Sequence, residues 1–278
     1  MEYKTLVEQL LCSYKKIFAK QSSAGEPSWA QHKKCTPNEL VRPTIPFVGK
    51  DYTSQKTKIM LYASAENLSD YTGRDGGWLD DDAKAINRHR EWFNNKSVEF
   101  FPSVHIAPVS DGSLIIALRY ICEKLNIEMP TTPKDFVESI AIANFGKFSI
   151  ENGTKNKDYA KDKEKLDCSL EYIKTELSIL RPDIIVMFKS IYSTEKDEIN
   201  AVKGDARVIC TYQINAQTVN RLIHKNYFPK DINELSATIQ NWYDKKHFHK
   251  NKFTNKTHDN FLSVFTYLDM VLKNYQSL

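Results

Sequence analysis

Ser64, Glu66 and Asn67 follow the apolar run Lys58–Ala63 (KIMLYA), and Asn144 and Lys147 follow Ile140–Ala143. Lys189 and Tyr192 follow Ile184–Phe188 (IIVMF), and Tyr212, Gln213 and Asn215 follow Arg207–Thr211 (RVICT). This set, polar, mostly neutral and rich in amides, suits hydrogen bonding to a flat heterocycle or a sugar, because an amide presents a donor and an acceptor side by side. They do not suit a metal, whose sites gather His, Cys and carboxylate ligands. His247 and His249 have no carboxylate or thiol company, and the Asp75–Asp82 stretch lacks the ligand spacing of a calcium loop. Ser64 sits in Tyr62-Ala63-Ser64-Ala65-Glu66, without the flanking glycines that let a nucleophile elbow turn sharply. No GxGxxG or GxxxxGK[ST] loop occurs, which weighs against dinucleotides and nucleoside triphosphates. No cofactor and no metal are expected.

These residues need strands that end together. KIMLYA and Ile140–Ala143 read as buried strands, IIVMF as an all-apolar strand after a helix and a proline turn, and RVICT as a fourth short strand. Helical periodicity occupies residues 3–20, 80–93, 112–125, 165–180, 233–243 and 259–275. Ser110-Asp111 reads as the cap of the third of these. The fourth closes on Arg181-Pro182-Asp183 and leads straight into IIVMF, the rhythm of an αβ unit. Phe101–Pro108 reads as a further strand or an extended loop, and residues 21–51 as a long irregular segment. The expected fold is a three-layer α/β/α arrangement around a short, mostly parallel four-stranded sheet, with extra helices at both termini. It is expected as one α/β domain over 1–278, with a core at about 56–225, an N-terminal helix and loop at 1–55 and a C-terminal helical extension at 226–278. Ligands of open parallel sheets bind beyond the carboxyl ends of the strands, where the polar residues above stand.

Composition supports a packed core, with 41% hydrophobic and 12% aromatic residues in 278. Neither a signal-peptide stretch nor a run of about 18 apolar residues is present, so the chain reads as cytoplasmic, with no membrane partner. Cys12, Cys35, Cys122, Cys168 and Cys210 are scattered without a CxxC pair and read as reduced core thiols. A net charge of +4 permits a polyanionic partner without demanding one. Basic residues cluster in Lys155–Lys165 and Lys245–Lys256, which read as solvated loops.

Three blocks, KIMLYASAENL, ESIAIANFGKFS and LSILRPDIIVMF, resemble the uracil-DNA glycosylase superfamily, and RVICTYQINAQTVNR is a weaker fourth match. The likeness spans about residues 56–225. It implies DNA as partner and a base flipped into the strand-end pocket, where it is read on its hydrogen-bonding edge and stacked on an aromatic ring. By position Asn144 would read the base, while Glu66 or Ser64 would stand near the attacking water. Gln213 would donate to the departing base, and Asn67, Asn215, Tyr212, Phe47 and Phe145 would line the pocket. Tyr62 and Tyr71 are further aromatic candidates. The first loop reads Ala63-Ser64-Ala65-Glu66-Asn67, lacking the family's glycine, its proline and the acid at its usual place. The second reads Gln213-Ile214-Asn215 where the family carries histidine and proline, and His224 lies well downstream. Losing such a donor typically costs about 10²–10³ in rate. The cysteine spacing of the iron–sulfur branches is missing, so no cluster is implied. The resemblance thus points to a glycosylase-type hydrolase, to a glycosylase-like binding module without catalysis, or to an enzyme acting on a small nucleotide or sugar.

Overall fold

Apolar segments such as Ile184–Phe188 bury both faces in a helix-covered parallel sheet, while Arg207–Thr211 leaves Arg207 exposed and Val208 and Cys210 half-buried. The computed structural model describes residues 2–24, 43, 45–65, 108–147, 151–152, 155–156, 163–214, 216–243 and 255–276. Its strands are β1 (Phe47–Val48), β2 (Ile59–Ala65), β3 (Ala141–Gly146), β4 (Glu151–Asn152), β5 (Lys155–Asn156), β6 (Ile184–Phe188) and β7 (Arg207–Thr211). β4 and β5 form a separate two-stranded ribbon, and the others form one sheet in the order β1-β3-β2-β6-β7. β3, β2, β6 and β7 are the four predicted strands, and they run parallel.

Among the described residues the sheet has five strands rather than four, because Phe47 and Val48 pair antiparallel with Ile142 and Ala141. Two residues within a proline-containing segment leave no periodicity to read. Gly49 makes the pairing possible. Its N–H bonds the Ile140 carbonyl at 2.9 Å, and a Cβ at this position would lie 2.1 Å from the Glu138 carbonyl oxygen. The backbone N–H of Lys50 then bonds Glu138 Oε2 at 2.8 Å, fastening the edge strand to the turn that launches β3.

The helices are α1 (Tyr3–Ser23), α2 (Pro108–Lys124), α3 (Pro133–Glu138), α4 (Lys163–Leu180), α5 (Lys189–Thr194) and α6 (Lys196–Val202). They continue with α7, a rod made of Ala216–Thr218, a π turn Val219–Ile223 and His224–Asn226, then α8 (Ala237–Trp242) and α9 (Asn255–Gln276). α1 buries Leu6, Val7, Leu10, Leu11 and Tyr14, its predicted apolar stripe. α2 begins at Pro108, so Ser110 and Asp111 lie inside its first turn instead of capping it. Proline is pre-organised for a first helical position, where no N–H is needed. Two residues after α2, Asn126 takes φ 54, and the N–H groups of Ile127 and Asn126 return to the carbonyls of Cys122 (2.9 Å) and Glu123 (3.1 Å), closing the helix end.

α5 and α6 were not legible because each buries a single apolar residue, Ile191 and Ile199. The predicted helix at 233–243 is shorter in fact: a 3₁₀ turn at Ile232–Glu234 precedes α8, whose first turn is capped by Ser236 Oγ accepting from Ile239 N–H at 3.2 Å. The helix expected at 80–93, the segment 101–107 and residues 245–254 lie outside the described residues.

One apolar cluster runs from Leu6 on α1 through the sheet to Phe261, Val264, Phe265 and Leu268 on α9. Cys122 belongs to it, and burial pushes its thiol up to about 12. Cys168 and Cys210 are half-buried, but Cys12 is exposed and is no core thiol, because it stands on the polar side of α1. Among the described residues, no helix is long and apolar enough to cross a membrane.

Candidate functional site at the carboxyl ends of the strands

Alternation along β3 decides which side chains share a surface. Ile142 and Asn144 project to one face of the sheet, Ala143 and Phe145 to the other. In the parallel register Asn144 stands opposite Ala63 and Ala143 opposite Tyr62. Phe47 pairs with Ile142, which puts it on the Asn144 face. Asn144 is only 2% exposed, so its amide is held by packing at the end of the strand. Phe145 is fully buried on the opposite face, with its ring 5.6 Å from Tyr62 and inclined at 70°. Asn144 and Phe145 therefore do not meet on one surface.

Lys147 follows β3 directly and is fully buried, not displayed to a ligand. Its ammonium binds Glu176 on α4, which is also 0% exposed. The Tyr14 hydroxyl on α1 donates to Glu176 Oε1, and the Tyr62 hydroxyl on β2 donates to Glu176 Oε2 at 2.7 Å. The Lys147 N–H bonds Ser169 Oγ at 2.9 Å. Burial first, and then the Glu176 charge, hold both Tyr14 and Tyr62 well above the usual phenol range. A buried charge survives only when paired and hydrogen-bonded, and here the Glu176 carboxylate takes the Lys147 ammonium and the hydroxyls of Tyr14 and Tyr62. It pins the carboxyl end of β3 from behind while Asn144 faces the other way.

At the far side of the sheet, β7 delivers Tyr212 and Gln213, both half-buried. Tyr212 N–H donates to the Tyr267 hydroxyl at 2.7 Å, and the two rings stack at 4.9 Å with 12° between their planes. Tyr227 packs on the same Tyr267 ring at 5.2 Å. One face of Tyr212 is thus already covered. Lys189 opens α5 at the end of β6, close to Cys210, whose thiol burial raises to about 12 against the opposing pull of that ammonium. His224 in α7 bonds Ser263 Oγ through Nδ1 at 3.3 Å. The preceding π turn displaces the helix by one residue, a feature frequent at functional sites.

The strand order separates the candidates. With neighbouring strands about 4.8 Å apart, Asn144 on β3 and Gln213 after β7 stand three strand spacings apart at the level of the sheet, roughly 14 Å. A ligand touching both from the strand ends would be larger than a lone base. Ser64 lies on β2, while Glu66, Asn67, Tyr71 and Asn215 lie outside the described residues. The structure adds one grouping that sequence reading missed. Asp167, Glu195 and Glu198 bring carboxylate oxygens within 4.8 Å of one another, from α4 and the α5–α6 junction. Only the fold joins these residues, so no spacing in the sequence announces them.

Compared with known families, the chain matches no family model, and comparison with curated proteins finds no match either.

Proposed function

We propose that this chain is a uracil-DNA glycosylase-like protein that recognises a nucleobase of DNA beyond the carboxyl ends of β3, β2 and β6. In this reading the helices cover the sheet in three layers, with α1 and α4 on the Tyr62 face and α2 and α9 on the other. The observation that carries it is Asn144, in register with Ala63 near the carboxyl end of β2 and on the face that Phe47 shares. Its 2% exposure fixes the amide's geometry, on which hydrogen-bond selectivity depends, and reading a base there requires the strand end to open. The spatial order β3-β2-β6-β7 adds support. The chain reverses its winding between β2 and β6, and such a switch point is where open α/β sheets bind ligands.

In the proposed roles Asn144 reads the base, Phe47 on the same face stacks near it, Glu66 or Ser64 directs water, and Gln213 donates to the departing base. Asn67, Asn215 and Tyr212 border the crevice, and Phe145 supports it from within the core. A second reading, a binding module without catalysis, draws on His224. It is the histidine nearest in sequence to the second loop, and it is bonded to Ser263.

Alkali-induced strand cleavage tests both readings, on labelled single- and double-stranded oligonucleotides carrying one uracil, hypoxanthine, xanthine or oxidised base. Cleavage that falls about 10²-fold or more in Asn144→Ala supports the hydrolase. Binding without cleavage supports the module, and neither binding nor cleavage rejects both.

A further inference from the structure

Strand register assembles a second charged site at the opposite, amino-terminal edge of the sheet. Asp183 N–H bonds the Lys58 carbonyl at 2.8 Å and Arg207 N–H bonds the Asp183 carbonyl at 2.9 Å, so the residues leading into β2, β6 and β7 lie side by side. Beside them is a groove of about 870 Å³. Lys56, Arg181, Lys203 and Arg207 line it, against two carboxylates, Asp183 and Asp205. Asp183 Oδ2 is already occupied by the Lys58 N–H at 2.7 Å. Lys203 Nζ is held by the Ala206 carbonyl at 2.8 Å. Arg181 spends only Nε, at 3.3 Å from the Ser178 carbonyl. Lys56 and Arg207 are exposed, and no ion pair with a described residue engages either side chain. The groove also has apolar walls, among them Leu177, Ile127, Val202 and Tyr275.

We infer that this groove binds a small organic anion that joins an aromatic ring to a phosphate, of the size of a nucleoside monophosphate. Its volume falls in the range of small-molecule sites, roughly 300–1,000 Å³. The surplus of cations over carboxylates matches the charge of one phosphate monoester, about −1.5 to −2 at neutral pH. Guanidinium groups such as those of Arg181 and Arg207 hold phosphate oxygens in pairs, and the wall containing Tyr275 takes the ring. Arg181 closes α4 in a left-handed backbone, with φ 47 and its N–H on the Leu177 carbonyl at 3.0 Å, a helix ending usually made by glycine. The groove lies at the opposite ends of the strands from Asn144, so it stands or falls apart from the proposal above.

Calorimetric titration of the full chain with AMP, adenosine and inorganic phosphate as separate probes tests the site. Arg181→Gly removes the guanidinium while tolerating the left-handed backbone, so the variant keeps its fold, checked by its melting curve. AMP is expected to bind saturably, with adenosine and phosphate each at least about tenfold weaker. Arg181→Gly and Arg207→Gln should each weaken AMP about tenfold, and Asn144→Ala should leave it unchanged. The inference is overturned by no saturable AMP signal up to about 1 mM, by unchanged AMP affinity in both arginine variants, by phosphate binding as tightly as AMP, or by loss of AMP binding in Asn144→Ala.

Discussion

Lys147 and Glu176 form an ion pair in which neither side chain has any exposed surface, joining the carboxyl end of β3 to α4. Breaking such a pair leaves one buried charge uncompensated, at about 3–5 kcal/mol. Lys147→Met is therefore expected to lower unfolding stability by that amount in urea titrations. Lys147→Met combined with Glu176→Leu should cost less than the sum of the two single variants, because no charge is left buried and only the Tyr14 and Tyr62 hydroxyls remain to satisfy, at about 1–3 kcal/mol each.

The same cluster sets a pH dependence. Tyr14 and Tyr62 are raised well above the ordinary 10.0 in the folded chain, so above that value the unfolded chain loses protons that the folded one keeps. Their contribution is full below pH 10 and is lost as pH rises beyond it, at up to about 1.4 kcal/mol per pH unit for each tyrosine. Urea midpoints measured from pH 8 to 11 should fall along this course, and Tyr14→Phe should flatten the decline.

Gly49 tests the edge strand. An added methyl would meet the Glu138 backbone at 2.1 Å, and backbone cannot swing aside as a long side chain can. Gly49→Ala should cost about 2–4 kcal/mol, read by thermal or urea unfolding. Gly204→Ala makes a useful contrast, since no atom lies within 4 Å of its added Cβ but φ is +59. Its cost should be about 1–2 kcal/mol, from the backbone alone.

Arg181 and Asn126 are the two non-glycine residues with positive φ among those described. Asparagine tolerates this region and arginine does not. Arg181→Gly should raise stability by about 0.5 kcal/mol, the relief of strain less the entropy that glycine brings to the unfolded chain, whereas Asn126→Gly should be neutral. Paired urea titrations resolve the difference.

The parallel strands were legible because Ile184–Phe188 is apolar on both faces, and no other use of such a run follows a helix and a proline turn. β1 was not, because its two residues acquire meaning only from Ile142, Ala141 and the Glu138 backbone. The burial of Lys147 was hidden for a related reason. Beside Asn144 in the sequence it reads as another polar strand-end residue, while its counter-charge Glu176 stands 29 residues on, and the hydroxyls that complete the Glu176 shell come from far along the chain. Tyr14 reaches Glu176 across 162 residues and Tyr62 across 114. Asn144 itself was well marked by the apolar run before it, but its 2% exposure depends on packing that no local pattern reports. Its distance from Gln213 follows from strand order, which the sequence does not contain.

Tyr14 carries a further consequence for what counts as the minimal folding unit. It lies on α1, yet its hydroxyl completes the shell around Glu176, and Leu10 beside it is fully buried. A fragment beginning after Ala24 would open the Lys147–Glu176 pair to water and strip the helical cover from α4. The first helix is then no dispensable appendage: proteolytic trimming into it should release α4 and the end of β3 together, as one cooperative event.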